Sequence, residues 1–107
     1  MPNSQFDHMA TLQADGTVQV HGTITSAEPL HDVEFRFMLI QDTVVVLGTG
    51  QQQGMRPGWS GTTAPDQGHL HPGGVLAIGL ALVARTEPGG GLGYETFTWS
   101  QQIELGS

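Results

Sequence analysis

The sequence predicts an all-β domain, an antiparallel sandwich of about seven strands. Three observations carry that expectation. Apolar and polar residues alternate with period two through most of the chain. Prolines, glycines and an Asp-Gly pair punctuate the alternating runs at short spacing. No segment joins a helical apolar stripe to capping residues. A small closed barrel is the alternative architecture for the same pattern.

Met9 to Ala14 forms a short first strand, joined through Asp15-Gly16 to a second from Thr17 to Thr25. Val18, Val20, Gly22 and Ile24 share one face of the second strand, and Gln19, His21 and Thr23 share the other. Glu28-Pro29 breaks it. Val33, Phe35, Phe37 and Leu39 form the inner row of the next strand. Its outer row begins with Glu34 and Arg36 and ends with Met38 and Ile40. Gln41-Asp42 turns the chain, and Thr43 to Thr49 continues as a β-branched run. Gly48, Gly50 and Gly54, with Gln51 to Gln53, mark a loop. Trp59 to Thr63 reads as a short edge strand, and Ala64 to Gly74 as a long loop.

Val75 to Thr86 is the most apolar segment. Leu76, Ile78, Leu80 and Leu82 form a large row, opposite a small row of Ala77, Gly79, Ala81 and Val83. Gly79 weakens a helix, so the segment is assigned as a central strand with its large row in the core. Pro88 and three glycines turn the chain. In the last strand Phe97, Trp99, Ile103 and Leu105 share one parity, and Thr96, Thr98, Ser100, Gln102 and Glu104 the other. The expected core is Val18, Val20, Ile24, Phe35, Phe37, Leu76, Ile78, Leu80, Phe97 and Trp99.

In strand count and spacing, Met9 to Leu105 resembles an immunoglobulin-like or fibronectin-type-III-like β-sandwich, at the level of fold and without a specific family. The resemblance implies two packed sheets and no particular activity. The cysteine pair of antibody domains is missing.

At 107 residues the chain is one domain spanning 1–107. Ten acids face only Arg36, Arg56 and Arg85, a net charge of −7. That acidic balance argues against nucleic acid and anionic membranes as partners, because phosphate neutralisation needs several cations. No Cys and no Lys is present, which excludes a thiolate nucleophile, a disulfide and a lysine Schiff base. No secretory signal is visible, no apolar run approaches a membrane-spanning length, and a cytoplasmic location is the default expectation.

His69-Leu70-His71 can present two imidazoles on one side of an extended backbone, with Asp66, His31 or His21 as a third ligand. Two histidines fall short of a complete set, so no metal and no cofactor are expected. Cupins need a glutamate and a later histidine after such a pair; here the next acid is Glu87 and no histidine follows. Asp66-Gln67-Gly68-His69 before Gly74 is similar to the Asp-x-His element of periplasmic copper-carrier β-sandwiches, with one extra residue and no match for that family's N-terminal histidine. For acid–base chemistry the candidates are His31, Asp32, His69 and Tyr94.

The expected function is a noncatalytic binding or assembly module that associates with itself or with a protein partner. Its candidate interface is Met38, Ile40, Arg56, Trp59, Ala77, Gly79, Ala81 and Val83. In a sandwich the small row and the Met38–Ile40 end would lie on outer faces, where contiguous apolar surface marks an interaction site. Arg and Trp are enriched at interaction hot spots. Trp59-Ser60-Gly61-Thr62-Thr63 followed by Gly74 to Ile78 is similar to part of some small phage head-decoration proteins, which implies an assembly role. Two alternatives stand beside it. One is a small cofactor-free enzyme of cyclase or isomerase type, or a ligand-binding protein, with a pocket for an apolar small molecule. The other is a histidine-based metal-binding protein.

Overall fold

The computed structural model describes residues 3–26, 30–52, 56–64, 70–86 and 88–106, with every side chain among them except those of residues 31, 85 and 86. Eight strands follow one another: β1 (Asn3–Phe6), β2 (Met9–Leu12), β3 (Val18–Thr25), β4 (His31–Gln41), β5 (Val44–Gln52), β6 (Gly58–Thr63), β7 (Gly73–Thr86) and β8 (Leu92–Gly106). No helix lies among the described residues, so none is long and apolar enough to cross a membrane.

The strands form one sheet in the order β1-β3-β2-β8-β7-β4-β5-β6, and β6 returns to pair with β3. Seven strands therefore close a barrel, with β1 as an extra strand on β3. The β2–β8 pair is parallel and the others are antiparallel. This overturns the expected sandwich, and with it the immunoglobulin-like and fibronectin-type-III-like resemblance. The cause sits in β6. The short strand expected at an edge is paired on both sides, with Trp59 opposite Gly22 of β3 and Gly61 opposite Gly50 of β5. Its glycines and those of β5 do not form a loop; they extend β5 to Gln52 and let the two backbones approach.

The pairing also fixes the barrel's dimensions. A circuit from Gly106 runs through Thr11, Gln19, Thr62, Thr49, Arg36 and Leu80, and returns to β8 at Thr98. That stagger of eight residues over seven strands tilts the strands by about 40° and gives a backbone radius of about 7 Å. A tube this narrow is filled by side chains.

Aromatic rings do the filling. Phe35 stacks on Trp59 at 4.2 Å between centroids. Phe6 meets Phe37, Trp59 and Trp99 at 5.3–6.2 Å. Trp59 Nε1 donates to Ser4 Oγ at 3.1 Å, so the buried indole keeps a polar partner. The wall beneath each ring must be thin. A Cβ at Gly22 would collide with the Trp59 indole, one at Gly48 or Gly61 with the Phe37 ring, and one at Gly79 with the Trp99 indole.

That demand reverses the assignment of β7. Ala77, Ala81 and Val83 are fully buried in the lumen and Gly79 lies beneath Trp99. Leu76, Ile78, Leu80 and Leu82 face outward. The expected core members Leu76, Ile78 and Leu80 are therefore outer residues. Val18, Val20, Ile24, Phe35 and Phe37 are buried as expected, and Phe97 and Trp99 pack half-buried against the core. Ala81 faces inward between Phe35 and Phe97, and Ala77 between Leu39 and Gln101, so the larger neighbours fill the lumen beside them. A leucine there would have no room.

Candidate functional site

The outward large residues of β7 do not stand alone. Strand register sets Leu76 beside Ile40 and Ile40 beside Val45. The next row sets Ile78 beside Met38 and Met38 beside Leu47. Leu80 and Arg36 continue the face, followed by Leu82 and Glu34. Val45 and Leu47 are about half exposed and Leu80 is 38% exposed, while Met38, Ile40, Leu76 and Ile78 are half-buried by one another. A groove of about 570 Å³ runs beside Leu47 and is walled by Arg36, Phe37, Thr49, Thr62 and Ala64. The outer surface of β3 and β6 is different in kind: Gln19, His21, Thr23, Ser60 and Thr62 are polar.

Of the interface residues expected from the sequence, Met38 and Ile40 lie on this outer face. Ala77, Gly79, Ala81, Val83 and Trp59 lie inside the barrel, away from any partner. Arg56 is exposed at a separate cleft of about 660 Å³ shared with Asp7, His21 and Ser60.

The acid–base candidates are only partly brought together. Asp32 and Tyr94 line one cleft of about 540 Å³ with Glu34, Gln51, Leu82 and Leu92. Asp32 sits at a register shift in β4 with φ 45°, a left-handed conformation that aspartate tolerates better than most residues. His31 contributes its backbone opposite Ala84, and its side chain lies outside the described set. His69 and Asp66 also lie outside the described residues. His71 is exposed, with Nε2 3.8 Å from the Asp42 carboxylate. Among the described residues no group of three or more histidines and acids is placed to hold a metal ion.

Two glutamines carry structural work that the pattern reading passed over. Gln101 Nε2 donates to the Phe6 carbonyl at 2.7 Å, and its Oε1 accepts the Phe6 N–H at 3.0 Å. The side-chain amide thus stands in for a strand between β1 and β8. Gln41 holds the segment before β7 in the same way, accepting from His71 N at 2.9 Å and donating to His71 O at 2.9 Å. A signal was available. Both are the polar member of an otherwise apolar row, Val33 to Leu39 in one case and Phe97 to Leu105 in the other. One titrating group, Asp15, lies remote from these sites in the turn between β2 and β3. Asp15 accepts from the Thr17 hydroxyl and Thr17 N–H, and these bonds hold its carboxyl below the usual range.

A scan against protein-family models, a search of curated proteins and a search of solved structures each found no match to this chain.

Proposed function

We propose that this barrel is a noncatalytic assembly module that associates with a second copy through the outer face of β5, β4 and β7. One observation carries the reading. The Val45–Ile40–Leu76 and Leu47–Met38–Ile78 rows place aliphatic side chains side by side on the outside of a barrel whose lumen is already full. Soluble monomers rarely expose a contiguous apolar patch beyond a few hundred Å². The patch is self-complementary in chemistry, being almost uncharged on a chain of net charge −7, so two copies approach with least repulsion there. The ring-filled lumen also argues against a ligand inside the barrel.

Sedimentation velocity over a wide concentration range tests this. The chain should associate, and Ile78→Arg should lower the assembled mass while circular dichroism and thermal midpoint stay near wild type. A chain that stays monomeric at every concentration would refute the reading. The Asp32–Tyr94 cleft supports a second reading, a site for a small molecule with an apolar body and a donor for a carboxylate. Chemical-shift changes confined to Leu92 and Tyr94 on fragment screening would favour it.

A further inference from the structure

We infer that β8 is a strand acceptor whose open backbone groups, at Tyr94, Thr96 and Thr98, pair with the same groups of a second copy. The inference rests on the self-association reading but uses a different contact. β7 pairs with β8 along its whole length, from Thr86–Leu92 to Gly73–Leu105. On the other edge β2 reaches only Glu104, Leu105 and Gly106. β1 lies alongside without joining the ladder: Gln101 bonds Phe6 through its side chain, and the Phe6 ring meets Trp99. The eight-residue stagger of the barrel carries the rest of β8 past both strands. Among the described residues no strand is registered against Tyr94, Thr96 or Thr98 on that side.

The direction of the free groups follows from one bond. Glu104 N–H donates to the His8 carbonyl across the β2 edge at 2.8 Å. The register with β7 is unbroken, so alternate residues keep the same orientation along β8. The N–H and C=O of Tyr94, Thr96 and Thr98 therefore point out of the open edge. Natural sheets guard such an edge with lysine, proline or a bulge. Here the stretch holds none of the three, and Glu95 is its single charge. The inner row beside the edge contains Phe97 and Trp99, both half-buried, and Trp99 Nε1 is shielded from water with no hydrogen-bond partner among the described residues.

The edge is also complementary to itself. Antiparallel pairing about Thr96 sets it against the partner's Thr96 and sets Tyr94 against the partner's Thr98. Threonine pairs of this kind stabilise a ladder. Glu95 then faces the partner's Phe97, so no like charges meet. Gly93 faces the partner's Trp99, repeating the Gly79–Trp99 pairing within the chain. Main-chain bonds supply the affinity in this mode and the alternating side chains supply the specificity.

Thr96→Pro tests the inference, because it deletes an N–H that faces the open edge and leaves the β7 ladder its donors. Thr98→Lys, an edge-guarding charge, is the second variant should the first fail to fold. Amide hydrogen exchange and sedimentation equilibrium are measured at low and high concentration. In the wild type, the Tyr94, Thr96 and Thr98 amides should slow at least tenfold as concentration rises. Either variant should move the association to at least tenfold higher concentration. Exchange at those amides that is independent of concentration, or association untouched by both variants, would overturn the inference. Protection that appears only in a lysate would assign the edge to another partner and also overturn it. Ile78→Arg separates the two contacts. If it abolishes all association and β8 was never protected, the strand pairing fails and the face reading survives. If it changes nothing while Thr96→Pro dissociates the protein, the reverse holds.

Discussion

The two faces of β7 are opposites. One carries Ala77, Gly79, Ala81 and Val83, the other Leu76, Ile78, Leu80 and Leu82. The smaller row is buried and the larger row faces out. Burial follows the space available, and in a barrel of about 7 Å radius the space beside β7 is taken by rings from the neighbouring β4 and β8. Phe6, Phe35, Phe37, Trp59 and Trp99 supply the volume of the core, while β7 supplies a thin wall for them to lean on. The large row is then free to cover the outside, where it builds an apolar face with β4 and β5.

The largest effect should come from removing a ring. Trp59→Ala deletes the stack on Phe35 and the bond to Ser4, and should destabilise the barrel by about 3–5 kcal/mol in urea unfolding. Thickening the wall should cost less. Gly79→Ala drives a methyl into the Trp99 indole and should destabilise by about 1–3 kcal/mol, with a change in tryptophan fluorescence as the ring moves. Gln101→Leu keeps the volume but leaves the Phe6 N–H and C=O without their partner. A loss of about 1–3 kcal/mol is expected, with faster exchange at the Phe6 amide.

The outer row should behave oppositely. Ile78→Ser should change monomer stability by only about 0.5–1 kcal/mol while weakening association, read by melting and sedimentation on the same sample. A loss matching that of Trp59→Ala would mean the outer row is also core. The smallest effect belongs to the β2–β3 turn. Asp15 has its folded pKa lowered by Thr17, so its contribution is present above the ordinary carboxylate range and is lost as pH falls through the folded value. The stability difference between wild type and Asp15→Asn should shrink below about pH 4.

Much of the secondary structure was legible. Period two located β2 to β8 to within a few residues, and Asp15-Gly16 marked a real turn, with Gly16 at φ 87°. β1 was missed because Asn3–Phe6 is four residues long and mostly polar. The candidate site was legible only in part. Met38 and Ile40 stood out as apolar residues in a polar row, whereas the small row of β7 was assigned to the surface by size alone.

Parity by itself determined that each strand has two unlike faces, because successive side chains alternate whatever the sheet does. Which face is inside was decided by closure. That depends on β3 meeting β6 about 40 residues later, and on rings from β1, β4, β6 and β8 converging on glycines of β3, β5, β6 and β7. Only Phe37 and Gly48, across the β4–β5 hairpin, are close in sequence; Trp59 and Gly22, Phe37 and Gly61, and Trp99 and Gly79 are not. The inward turn of Ala77 and Ala81, and the outward turn of Leu76 and Ile78, exist only once the tube has formed.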